Sequence, residues 1–194
     1  MTEFFREYRP YLVFAAIVAV GFAGLYLASG HYYPIALVDQ TPISARRFWE
    51  NYRSALVYYE NAMKTYDPQG TTPAVRPDEI EAGVLTQLIE DSLVHKAVSR
   101  EVGGELDSLV ANKVGKYGSD AQLQRAVETL YGLSFRDFES AILVPQAEKD
   151  ILAGRLFLIN EQLEIWLKNA KQSARVIIFS SRFRWDGERV VAGT

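Results

Sequence analysis

The chain has 194 residues, 48% hydrophobic and 23% charged, with no cysteine and a formal net charge of −3. That length holds one core of ordinary size with an appendage, not two full catalytic domains, and zero cysteine excludes disulfide frameworks, thiolate zinc sites and cysteine nucleophiles. The 21 basic and 24 acidic residues are mixed along the chain, without the basic stripe a nucleic-acid binder needs. Residues 11–29 run without a charge, and as a helix they reach about 28 Å, close to the ~30 Å hydrocarbon core of a bilayer. Tyr8, Tyr11, Tyr26, Tyr32 and Tyr33 bracket the stretch, as aromatics do at membrane interfaces. A buried core helix would need polar punctuation. A cleaved signal peptide would have a shorter apolar stretch, although Ala28-Ser29-Gly30 passes as a small-residue cleavage site. An uncleaved signal anchor fits best. Arg6 and Arg9 precede the span and the next Lys or Arg is Arg46, which puts residues 1–10 in the cytoplasm and residues 31–194 outside, in a periplasm or on an extracellular face.

Ile35 to Asp39 is a short apolar run closed by Gln40-Thr41-Pro42, a strand followed by a turn. Ser44 caps the next element, where Phe48, Tyr52, Ala55, Leu56, Tyr59, Ala62, Met63 and Tyr66 recur at helical spacing. Residues 67–76 carry Pro68, Gly70 and Pro73 and read as a loop. Pro77 opens a second long helix, with Asp78 and Glu79 beside its positive dipole end, and Gly103-Gly104 stops it. Short helices follow over about 106–117 and 121–131. Gly132-Leu133-Ser134 supplies a stop and a new cap, with Asp137 completing a capping box. The helical pattern then continues to about Ser173, with a kink or break expected at Pro145. Arg175 to Phe179 reads as a second strand, and Asp186-Gly187 as a type I′ hairpin turn in a tail over 180–194. Two lone strands have few partners but each other, and their pairing would close the domain.

The motifs of chemistry are thin. There is no glycine-rich phosphate loop, no G-x-S-x-G and no H-E-x-x-H, and there are two histidines. His31 falls at the membrane edge and His95 reads as a satisfied core or boundary residue. Glu90, Asp91 and Glu139 read as acidic residues on solvent faces. No catalytic residue, metal ligand or cofactor is assigned, and the chain is not read as an enzyme. Aromatics are the richer feature, with 11 Tyr, 10 Phe and 3 Trp. Trp49 and Tyr58 fall off the main helical stripe, and aromatics are enriched where one chain grips another.

The run Ile35-Ala-Leu-Val-Asp-Gln-Thr-Pro-Ile-Ser-Ala-Arg-Arg-Phe48 resembles the strand–turn–helix opening of SurA-like N-terminal chaperone domains, found in folding factors of the SurA, PpiD and PrsA type. Gln40 stands where that pattern usually has glycine. Val84 to Ala97 is similar to the family's L-x-x-L-I-x-x-x-L-x-x-x-A helix. Tyr131-Gly-Leu-Ser-Phe-Arg-Asp-Phe138 is similar to the start of its next long helix. Trp166-Leu167 with Ala174 to Ile178 is similar to its closing helix and strand. The family usually couples this domain to a parvulin-type prolyl isomerase inserted before the closing helix. Phe138 to Trp166 contains no such insertion, so the resemblance carries over the chaperone-like domain and not the isomerase.

The expected architecture is mostly α: a single-pass transmembrane helix over 11–29, then a SurA-like helical domain over 34–179 closed by two short strands. The resemblance implies an ATP-independent chaperone that holds unfolded secreted or envelope polypeptides in an aromatic-lined groove. Trp49, Tyr52, Tyr58, Tyr59 and Phe157 are the candidate peptide-binding residues. The bilayer, through residues 11–29, and a secretion or envelope complex are further expected partners. A structural or adaptor module for one dedicated partner is the alternative.

Overall fold

The computed structural model describes residues 14, 16–21, 33–67, 69, 71 and 75–193. Most of the expected span 11–29 lies outside them. The part inside, residues 14 and 16–21, is helical and exposed. Among the described residues no helix is long and apolar enough to cross a membrane.

The domain opens with a hairpin, β1 (Pro34–Val38) and β2 (Thr41–Ser44), paired antiparallel. The second strand corrects the expectation of a turn over 40–42. The turn is only Asp39-Gln40, with Asp39 at φ 56°, a conformation Asp tolerates better than most residues. Pro42 is admitted because β2 is the edge of a sheet ordered β2-β1-β3, where a missing N–H leaves no bond unmade. The expected closure is present: β3 (Val176–Ile178) pairs antiparallel with β1, Ala36 opposite Ile178 and Val38 opposite Val176.

Ser44 ends β2 and begins α1 (Ala45–Tyr66), its hydroxyl accepting from the Arg47 N–H at 3.2 Å. The long α2 (Pro77–Val102) starts at Pro77 with Asp78 and Glu79 in its first turn, and ends at Gly103 with φ 55°. A 3₁₀ turn leads to α3 (Leu106–Val114), and a second one leads towards α4 (Ala121–Tyr131). Asp120 caps α4, accepting from the Gln122 and Leu123 N–H groups. Gly132 closes it in the left-handed region, φ 63°. Ser134 accepts from the Asp137 N–H and donates its own proton to Asp137 Oδ2 at 2.6 Å. The capping pair is thus present with the hydroxyl, not the backbone, feeding the carboxylate.

The helical run expected from 135, with a kink or break at Pro145, starts as three joined pieces: α5 (Phe135–Phe138), a π turn over Glu139–Leu143, and α6 (Val144–Leu158). Pro145 does not break the chain. The wide turn, with the Val144 N–H donating to the Glu139 carbonyl five residues back, absorbs its missing donor. The break comes later, at Ile159 and at Asn160 with φ 57°, before α7 (Leu163–Ser173). The tail forms β4 (Phe183–Trp185) and β5 (Val190–Ala192), a hairpin as expected. Its turn is four residues and not type I′. Asp186 Oδ1 accepts from the Glu188 and Arg189 N–H groups, both at 2.8 Å, and the Arg189 and Glu188 donors hold its carboxyl below the ordinary range.

One helix serves two cores. Leu85, Leu88, Ile89 and Leu93 of α2 pack with Ala36, Val38, Ile43, Phe48 and Val190 under the sheet. Val94, Val98 and Val102 pack with α3, α6 and α7 through Leu106, Val110, Leu152, Leu156 and Leu167. The tail hairpin is pinned to the first turns of α2: the Val190 N–H donates to Thr86 Oγ1 at 2.9 Å, and Arg182 pairs with the buried Glu81 at 3.1 Å.

Asp39 ties the sheet to this spine. Its carboxylate accepts from Lys96 of α2 and from the Arg175 N–H at the head of β3, the latter at 3.1 Å. The Lys96 hydrogen bond, then the Arg175 donor, hold its pKa below the ordinary 3.8. A folded-state pKa below the unfolded one gives stability that is fully present above the unfolded value and lost as pH falls through the folded one. Asp39→Asn keeps the left-handed turn and an acceptor but not the charge. Acid unfolding followed by circular dichroism should therefore show a smaller loss of stability below about pH 4 in Asp39→Asn than in the parent. Parallel acid profiles would show that the pair contributes nothing.

Candidate peptide-binding groove

The amphipathic pattern of α1 leaves it only partly covered. Of its 22 residues only Ala45, Phe48 and Ser54 are buried. It packs on α2 and on α4, and Asn61 Nδ2 donates to the Thr129 and Leu130 carbonyls at the end of α4. Gly132 passes close to Val57, where a Cβ would stand 3.4 Å from that side chain.

Between α1 and the α4–α5 corner opens a cleft of about 530 Å³. Its walls are Arg46, Arg47, Glu50, Asn51, Arg53, Ser54 and Val57 on one side, and Tyr131, Gly132, Leu133, Asp137, Ser140 and Ala141 on the other. A second cleft of about 480 Å³ shares Asn51, Ser54 and Tyr131 with it and adds Ala55, Tyr58, Val84, Gln87, Leu88 and Ile142. Shared walls make them one groove with two characters. One end is polar, with three arginines against two carboxylates. The other is apolar, floored by Leu88 of α2.

An aromatic ladder separates the two ends. Tyr58 stacks on Tyr131 at 4.9 Å and 13°, and Tyr131 meets Phe138 at 5.1 Å. Burial, then the neighbouring Tyr58, push the Tyr131 phenol above its ordinary value, so it stays neutral at physiological pH. At the polar end Arg46 pairs with Glu50 at 2.8 Å and Arg47 lies 3.8 Å from Asp91. Burial raises the Asp91 pKa, against the Gln87 hydrogen bond and Arg47.

The structure separates the five expected binding residues. Tyr58 lines the groove. Trp49 and Tyr52 instead form an edge-and-stack cluster with Phe48, at 5.0 Å and 6.1 Å from its ring respectively. The Tyr59 hydroxyl accepts from the Val75 N–H at 3.0 Å and pins the end of the loop. Phe157 is 78% exposed at the end of α6 beside exposed Leu158 and Ile159, and α6 packs on α2, α3 and α7 rather than on α1. Of the aromatics expected to line a groove, this one holds Tyr58, with Tyr131 beside it. Asn51, Ser54, Tyr131 and the three arginines were missed. The signal for Arg47, Asn51 and Ser54 was the row 47, 51, 54, 58 on α1, polar residues ending in a tyrosine at helical spacing.

Two other expectations are settled by geometry. His95 is a boundary residue, its Nδ1 2.8 Å from the buried Glu148. Glu90 and Asp91 are not on a solvent face. Glu90 accepts from Lys171 at 2.8 Å with both side chains mostly covered, and Asp91 accepts from Gln87 at 2.8 Å. Among the described residues no cluster of three or more His, Asp or Glu is placed to hold a metal ion.

Comparison with known proteins gives one match: the family model described as the SurA-like N-terminal domain covers residues 1–137. No curated protein and no solved structure matches the chain.

Proposed function

Because this chain belongs to the SurA-like N-terminal domain family, a family of chaperone-like folding factors, we propose that it is a membrane-anchored, extracytoplasmic holding chaperone working without ATP. The observation that carries the reading is the two-ended groove. An extended segment of an unfolded client would set apolar side chains between Tyr58, Leu88 and Ile142. Its carbonyls and acidic groups would meet Arg46, Arg47 and Arg53. Open walls keep affinity modest, so release follows from dissociation and folding of the client, with no energy-driven cycle. The anchor rests on the uncharged stretch 11–29 and on its described residues Phe14, Ile17 and Val20, all exposed. The positive-inside bias of Arg6 and Arg9 supports a domain on the outer side.

The test is aggregation of a chemically unfolded envelope protein diluted into buffer with the full chain held in lipid nanodiscs. Suppressed light scattering at near-stoichiometric ratios without ATP is the expected result. Scattering equal to that with empty nanodiscs overturns the reading. The exposed trio Phe157, Leu158 and Ile159 favours a second reading, an adaptor holding one dedicated partner. Crosslinking in intact cells separates the two, since one stoichiometric product at Phe157 supports the adaptor and many products at Tyr58 in the groove support the chaperone.

A further inference from the structure

An antiparallel sheet with one face on a core ordinarily alternates apolar inward and polar outward. This one does so only on its inner side. Ala36, Val38 and Ile43 point into the core, and Val176 and Ile178 pack against it. The outward positions hold Leu37, paired with Pro42 on one side and Ile177 on the other, followed by Phe179. Ile177 is 37% exposed and Phe179 55%. The tail hairpin packs on α2 through β5 and touches β3 through β4, and Ile177 and Phe179 stay exposed beside it.

Tether length says what lies over it. Tyr33 lies four positions after Ser29, the end of the expected span, and four residue steps reach at most about 14 Å. The Phe179 N–H donates to the Ile35 carbonyl at 2.8 Å, which puts Phe179 at the anchored end of β1. A strand rises about 3.3 Å per residue, so Leu37 is only about 10 Å farther along from Pro34. The headgroup layer is roughly 5–8 Å deep on each side. We infer that the outer face of the sheet, Leu37, Pro42, Ile177 and Phe179, docks on the outer leaflet of the bilayer and fixes the domain's orientation on the membrane. The inference deepens the anchored reading above and rests on it. Arg175, two positions before Ile177, is exposed at the rim and suits anionic headgroups.

The absence of native cysteine makes the test direct. Ile177→Cys and Phe179→Cys, with Phe157→Cys as the comparison, are each spin-labelled in the full chain and reconstituted into vesicles of phosphatidylcholine and phosphatidylglycerol. Folding of each labelled chain is checked by its melting curve, and two positions guard against one failing to fold. Collision with dissolved oxygen, which concentrates in lipid, is compared with collision with a water-soluble nickel chelate. The expected oxygen-to-nickel ratio at 177 and 179 is several-fold above that at 157. Equal ratios in chains that resist an alkaline carbonate wash overturn the docking and leave the anchor standing. Chains removed by the wash overturn both. Low nickel access at 177 and 179 that persists in detergent without vesicles also overturns it, because the protein's own segment is then the cover.

Discussion

Ile89→Ala and Leu152→Ala should each lower the unfolding free energy by about 2–5 kcal/mol, at the upper end of that range because neither site can collapse easily. Ile89 is 0% exposed and Leu152 is 1% exposed, and they sit in different cores, one under the sheet and one among α2, α3, α6 and α7. The two cores share α2, which passes from one to the other between Leu93 and Val94. A helix cannot lose one half of its packing and keep the other half well formed without fraying through its middle. Each variant is therefore expected to shift one common urea transition. Trp166 packs on the second core and Trp185 on the first, so tryptophan fluorescence reports on both, with circular dichroism as the second probe. Two separated transitions in Leu152→Ala would mean that the cores fold independently and that α2 does not couple them.

What could be read from the residues was whatever is decided locally. The start of α2 at Pro77 and its stop at Gly103 depend on one turn of backbone each, and so do the caps at Ser44 and Ser134. The pairing of β1 with β3 is long-range, yet it followed from having two apolar runs in need of partners. Strand β2 was hidden because Thr41-Pro42 carries turn chemistry, and only its position at a sheet edge makes proline acceptable. The break before α7 was hidden for the opposite reason. Apolar residues continue at helical spacing through Ile159, and the stop is made by Asn160 in the left-handed region with no glycine or proline to announce it.

The groove was less legible than the fold. Counting aromatics selects side chains by what they are, whereas a groove is made by what neighbouring elements leave uncovered. Trp49 and Tyr52 found partners in Phe48, and Tyr59 was drawn into holding Val75. Phe157 sits on α6, whose packing partners are α2, α3 and α7, which no local pattern reveals. Asn51 and Ser54 sit in the groove because α4 crosses α1 beside them and not over them. That crossing is set by Asn61 and by the close approach of Gly132 to Val57, contacts between residues about 70 positions apart in the chain.

Tyr131→Ala should cause the largest loss of client binding. Tyr131 touches both ends of the groove and carries the stack on Tyr58 and Phe138, and truncating a central aromatic anchor typically costs about 2 kcal/mol or more, roughly 30-fold in Kd. Tyr58→Ala removes one wall of the apolar end only and should cost less, about 10-fold. The double variant should lose less than the sum, because the two rings stack on each other and the first truncation already forfeits that contact. Tyr131→Phe keeps the ring and should bind within a few-fold of the parent, which separates a packing role from a hydroxyl role. Trp49→Ala and Phe157→Ala lie outside the groove and should leave binding unchanged. The readout is fluorescence anisotropy of a labelled, permanently unfolded polypeptide titrated with each variant, with thermal melts to confirm that the binding-defective chains are folded. If Phe157→Ala abolishes binding while folded Tyr131→Ala retains it, the working surface is the exposed tip of α6 and not the groove.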